Sequence, residues 1–154
     1  MTAQGTIVVG VDGSDGSRAA LEFALDEAAR RRAAVRVVLA MPEVDYWATS
    51  YGMSPSLAEE LSTGLEKVGR DMVDDVVRAR GGASADIPIE VHAIGGSPGH
   101  VLVEQSRDAD LLVVGHRGRG GFRSAVLGSV GLQCVVHAYV PVTVVRHSPP
   151  AAQD

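Results

Sequence analysis

One stretch of this chain carries most of its legible chemistry. Residues 115–128 hold five glycines and three arginines, Arg117, Arg119 and Arg123, and Gly128-Ser129 stands directly ahead of an apolar, helix-like run. Glycine lets bare main-chain amides come close to an anion, and the unpaired N–H groups and dipole of a helix N-terminus favour phosphate. A solvated surface loop uses the same letters, and glycine content alone does not separate the two readings. A second candidate is Asp12-Gly13-Ser14-Asp15-Gly16, a turn-rich run whose carboxylates Asp12 and Asp15 can hold Mg2+ against phosphate oxygens. Neither stretch offers an evident general base to activate water, so at most slow hydrolysis is expected there.

Both stretches need a frame that presents them together. Thr6-Ile7-Val8-Val9-Gly10-Val11 is a continuous apolar run of the kind found in strands buried on both faces. Leu21, Ala24, Leu25 and Ala28 then recur at helical spacing, predicting a helix over about 16–32. Residues 35–41 read as a second strand stopped by Pro42, and Leu57, Leu61, Leu65, Val68, Met72 and Val76 keep a helical stripe from Ser54-Pro55 to about Arg80. Ile89, Val91 and Ala93 alternate with Glu90 and His92 in a third strand over 87–94, open to water on one face. Ser97 as N-cap and Pro98 as first helical residue start a short helix through about Arg107. Residues 110–115 form a fourth strand, Val130, Leu132, Val135 and Val136 point to a last helix, and residues 140–145 give a fifth strand with Pro141 near its start. Alternating strands and helices predict right-handed crossovers, a parallel sheet with helices on both faces, and a ligand crevice at the carboxyl ends of the strands. Periodicity does not give the strand order. One domain is expected over 1–146, with a tail at 147–154.

Gly115-His116-Arg117-Gly118, nine residues, then Gly128-Ser129 is the spacing G-x2-G-x9-G-[S/T], which resembles the ATP-binding motif of the universal stress protein family. The resemblance extends to Val11-Asp12-Gly13-Ser14, to Ala109-Asp110-Leu111-Leu112-Val113-Val114 and to Pro141-Val142-Thr143-Val144-Val145, and so spans residues 6–146. It implies an open, doubly wound, Rossmann-like α/β fold with five strands in the order 3-2-1-4-5. It also implies ATP, with Mg2+, as ligand, and a homodimer built through the last strand. In that reading Asp12 contacts the adenosine part and Ala40 sets backbone groups against adenine. Gly115 and Gly118 shape the ribose and phosphate cradle, and Gly128 and Ser129 hold phosphates by amide and hydroxyl, with Gly13, Arg117 and Val130 completing the set. Two positions depart from the motif: Gly131 stands where many ATP-binding members have a small hydroxyl or amide residue, and His116 replaces serine or threonine. Neither fills the cradle. Cyclic AMP, which some actinobacterial relatives prefer, is compatible with the same residues. The rival readings are a slow ATPase, a phosphoryl or nucleotidyl transferase, and a dimeric interaction module with an empty crevice.

Composition narrows the field further. At 154 residues one core is expected, burying roughly 70% of the unfolded surface. A net charge of −5 argues against nucleic acid as partner. No apolar run reaches the ~18 residues that span a bilayer, and Met1-Thr2-Ala3-Gln4-Gly5 does not open a signal peptide, so a cytoplasmic, membrane-free protein is expected. Cys134 stands alone in an apolar run and reads as a small buried hydrophobe. The only lysine, Lys67, follows Glu66 where a P-loop needs glycine, and Gly10, Gly13 and Gly16 have the wrong spacing for a dinucleotide fingerprint. Gly95-Gly96-Ser97-Pro98-Gly99 matches a nucleophile elbow in letters, but Pro98 has no N–H for an oxyanion hole. The five histidines include no i,i+4 pair and read as surface imidazoles, His116 in the glycine loop being the exception to watch. Tyr46, Trp47 and Tyr51 gather in an aperiodic stretch, which reads either as a lid or partner surface or as a cover for the sheet edge.

Overall fold

The computed structural model describes residues 2–41, 52, 55–116 and 127–147. Through them run β1 (Thr6–Gly10), α1 (Asp15–Arg31), β2 (Ala34–Met41), α2 (Pro55–Ala79), β3 (Ile89–Gly95), α3 (Pro98–Gln105), β4 (Leu111–Gly115), α4 (Ser129–His137) and β5 (Val142–Val145). The strands form a sheet in the order β3-β2-β1-β4-β5, and every pairing is parallel. This is the doubly wound architecture and the order that the resemblance implies. β2 and β3 are added on one side of β1 and β4 and β5 on the other, so the crossovers diverge and the carboxyl ends of β1 and β4 flank the switch-point crevice.

Alternation along the strands divides the core into two layers. Ile7 and Val9, level with Val35 and Val37 on one side and Leu111 and Val113 on the other, face Leu21 and Leu25 of α1 and Val73 and Val76 of α2. Val8, Val38, Leu112 and Val114 face the opposite way, onto Val101 and Leu102 of α3 and Cys134 of α4. Burial on both faces is why β1 and β4 read as solid apolar runs rather than alternating ones. Gly69 lets α2 lie close on the sheet: a Cβ there would meet Leu39 Cδ1 at 2.6 Å and Val91 Cγ1 at 2.8 Å. Arg36 reaches from β2 to the end of α3, donating to the Gln105 carbonyl at 2.8 Å and to Asp108 at 3.0 Å, and so holds the Asp108 carboxyl below the usual carboxylate range.

Several boundaries differ from the sequence expectation for local reasons. β3 starts at Ile89, not 87, because the Ile87 amide turns back to the Ser84 carbonyl. α3 stops at Gln105, where the Ser106 hydroxyl donates back to the Val103 carbonyl. Ser97 occupies the N-cap position of α3 with an extended backbone, but its side chain makes no capping hydrogen bond. The expected last helix is present as α4, and its apolar pattern does not mark its buried side. Gly131 and Cys134 are its buried residues, whereas Leu132, Val135 and Val136, which reveal the helix in the sequence, are 53%, 50% and 63% exposed. Small residues bring the helix down onto the sheet and leave the large ones outside. Ser54, the aromatic stretch Tyr46 to Tyr51 and residues 148–154 of the expected tail lie outside the described residues.

Candidate functional site

The crevice is built first from the end of β1. The Val11 amide continues the ladder to the Val38 carbonyl at 3.0 Å, and at Asp12 the chain leaves the sheet. Gly13 follows with φ of 85°, a conformation that glycine alone adopts without strain. Asp12 Oδ1 accepts from the Ser14 amide at 2.9 Å and from the Ser14 hydroxyl. Ser14 is the N-cap of α1, its Oγ accepting from the Ser17 amide at 3.2 Å, and the Ser17 hydroxyl donates to the Ser14 carbonyl at 2.9 Å. The Asp12 carboxylate is therefore set at the head of α1 by a closed ring of local hydrogen bonds. Ala40 stands at the same carboxyl edge, half-buried and paired with Ile94, two register steps beyond the Gly10–Val38 pair.

The other wall comes from the end of β4. A Cβ on Gly115 would lie 3.0 Å from the Gly16 carbonyl oxygen and 3.1 Å from its carbon, so the strand end and the first turn of α1 meet backbone to backbone. A Cβ on Gly131 would lie 3.6 Å from the Gly115 oxygen, which brings the first turn of α4 to the same point. His116 locks this corner through its main chain: its amide donates to the Val145 carbonyl and its carbonyl accepts from the Gly128 amide, both at 2.9 Å. Gly128 then caps α4 with ordinary extended backbone and no side chain over the helix end. The first helical bond at this end runs from the Leu132 amide to the Gly128 carbonyl. The amides of Ser129, Val130 and Gly131 precede it and have no intrahelical acceptor. Two helix N-termini, each carrying about half a positive charge, thus converge on Gly115.

The universal stress protein family model matches residues 5–146. The chain belongs to the universal stress protein family. Universal stress protein Rv2623 of Mycobacterium tuberculosis strain H37Rv is 33% identical over 153 residues, 94% of this chain and 46% of that protein. The chain thus spans about half the length of the curated relatives it matches. A universal stress protein crystallised in complex with cAMP is 30% identical, with a TM-score of 0.67 over 96% of this chain and 100% of its own. The universal stress protein of Archaeoglobus fulgidus in complex with dAMP, 24% identical with a TM-score of 0.58 over 93% and 98% of the two chains, shares the fold.

Of the residues that the family motif singles out, Asp12, Gly13, Ala40, Gly115, Gly128, Ser129 and Val130 are described and stand along the carboxyl edge of β2, β1 and β4 or at the head of α4. Arg117 and Gly118 lie outside the described residues. Three further contributors lie within the stretches that the sequence singles out but are given no role of their own there. Ser14 is legible as an N-cap from Ser14-x-x-Ser17 ahead of the helical stripe. Gly16, which receives Gly115, and the main chain of His116 carry no sequence signal, because their contribution is backbone geometry. The Asp12 and Asp15 carboxylates are both exposed at the head of α1. Among the described residues no group of three or more His, Cys, Asp or Glu gathers as a metal centre, and no helix is long and apolar enough to cross a membrane.

Proposed function

We propose that this member of the family binds ATP reversibly, with Mg2+, in the crevice between β1 and β4. In the cytoplasm it would act as a homodimer joined through β5, and the occupancy of its crevice would regulate a stress or dormancy response. The observation that carries the reading is the convergence of the heads of α1 and α4 on Gly115, where the spacing of the glycines matches the family's phosphate motif. Asp12 takes the adenosine part and Ala40 presents backbone groups to adenine. Gly13, Gly115, Arg117 and Gly118 line the ribose and phosphates, while the Ser129 and Val130 amides and the Ser129 hydroxyl hold the terminal phosphates behind Gly128. Mg2+ takes one or two carboxylates and completes its shell with water and phosphate oxygens, a demand that the Asp12 and Asp15 carboxylates meet. No metal chemistry is needed for binding, and turnover is at most slow.

A second reading has its own support: cyclic AMP as ligand, because the 30%-identical neighbour was crystallised with cAMP. Gly131, without a hydroxyl to offer, also suits a ligand with fewer phosphates. Calorimetric titration of the purified protein with Mg·ATP and with cyclic AMP separates the two. Saturable heat with a dissociation constant between about 1 μM and 1 mM, or roughly −8 to −4 kcal/mol, is expected for ATP, and tighter cyclic AMP binding would select the second reading. No heat and no thermal shift at millimolar concentrations of either would overturn both.

A further inference from the structure

The first half of α2 makes little use of its apolar residues within this chain. From residue 56 to residue 68 none is buried, and Leu57, Leu61 and Val68 are 37%, 45% and 47% exposed. At helical spacing these three and Gly64 fall on one line along the helix. Gly69, Val73 and Val76, which meet the sheet and the core, stand about a third of a turn away from that line. The stripe is therefore a lateral flank of α2, which lies over β2 and β3, across the sheet from β5.

Gly64 has no packing reason inside the chain. Glycine is a poor helix former, and whereas a Cβ on Gly69 would strike Leu39 and Val91, a Cβ on Gly64 would meet nothing within 4 Å among the described residues. A notch without an internal neighbour suits a close approach from outside. The flank is also complementary to itself. Laid antiparallel against a second α2 about a two-fold axis, it sets Leu61 of each copy against Gly64 of the other, and Leu57 against Val68. The same register brings Glu60, on the outer border of the stripe, to the partner's Lys67, twice by symmetry. Lys67 accommodates this, since its ammonium spends one of three donors on Asp71, at 2.8 Å. Antiparallel helix dipoles favour the arrangement further.

We infer that the Leu57, Leu61, Gly64 and Val68 flank of α2 is a self-association surface, taking a second copy of this chain in an antiparallel α2–α2 contact with Leu61 seated on Gly64. The inference does not rest on the β5 homodimer, because it adds one association step whether the chain is otherwise a monomer or a dimer. The stripe is about 17 Å long, short of a standard interface, so the step is weak and needs high protein concentration.

Sedimentation velocity from about 1 μM to 1 mM protein tests it, using wild type, a Leu61→Glu/Val68→Glu double variant and Gly64→Leu, each checked by circular dichroism and thermal melting. The expected result is one wild-type association step that both variants weaken roughly 10-fold or more, the effect of losing a contact central to an interface. The melting temperature of dilute Gly64→Leu should stay the same or rise, since the single chain has room for the side chain and leucine favours the helix. A weakened step in that variant then cannot come from unfolding. A step equally strong in Gly64→Leu overturns the inference, and so does a wild type with no association at all. If the only step is one that all three proteins share, it belongs to another surface, and the inference falls while the β5 homodimer stands. Lost stability in the double variant without any change in sedimentation shows the flank covered from within the same chain, and overturns the inference as well.

Discussion

Gly128 allows ligand binding to be separated from folding at a single residue. Its φ of −63° and ψ of 160° are ordinary extended backbone, so any residue fits, and an aspartate there is a good N-cap for α4. Gly128→Asp should leave the melting temperature unchanged or slightly raised, by a few tenths of a kcal/mol in stability, while its carboxylate takes the amides that phosphate would use. Calorimetry on the folded variant should show nucleotide binding lost, and unaltered affinity would place the phosphate elsewhere. Cys134 makes the opposite case, of a residue with no part in chemistry. It is fully buried, and desolvation pushes its thiol up to about 11 from 9.0. Well below pH 9 the thiol is almost wholly neutral whether the chain is folded or not, so it adds little pH dependence there. Between 9 and 11 only the unfolded chain ionises, so stability should fall with rising pH in urea titrations, and the fall should be smaller in Cys134→Ala. Iodoacetamide at pH 8 should modify it only after unfolding.

Among the elements, those buried on both sides were the easiest to read. Thr6 to Gly10 and Leu111 to Gly115 are solid apolar runs because helices cover both faces of β1 and β4, and the glycine at each carboxyl end marks where the crevice opens. α4 was legible as a helix and not as to which side is buried, since Gly131 and Cys134 make the contact while Leu132, Val135 and Val136 make the pattern. Periodicity reports apolar residues without saying whether their partner is the same chain or another. The convergence at Gly115 was likewise visible only as letters, because what closes it is main chain against main chain. α2 gives a test at this scale. Glycine in a helix interior costs about 1 kcal/mol relative to alanine, and Gly69 is there because Leu39 and Val91 leave no room for a side chain. Gly69→Val should therefore destabilise the fold by about 1–3 kcal/mol despite removing a glycine from the helix. A chemical denaturation curve with an unchanged or higher midpoint would show that α2 can lift from the sheet without loss.

In the whole molecule, α4 lies between the proposed nucleotide crevice and β5, the strand through which the homodimer is proposed. Its first turn leaves the Ser129, Val130 and Gly131 amides without intrahelical acceptors, and two turns on at most the same helix leaves Val135 and Val136 exposed. α4 has only nine residues, so a shift at one end moves the other, and whatever fixes its position for one ligand favours the other. Linkage then requires the effect to be reciprocal: with one nucleotide site per protomer, if dimerisation tightens binding at each site by some factor, of order 5–150-fold for typical couplings, saturating nucleotide must tighten the dimer by the square of that factor. Two measurements close the cycle, the dimer dissociation constant by sedimentation with and without saturating nucleotide, and the nucleotide affinity at protein concentrations above and below that constant. A per-site factor greater than one, and its square in the dimer constant, are expected. Factors of one in the wild type would mean that α4 holds its position regardless of either ligand, and the regulatory part of the proposed function would then need another element to carry it.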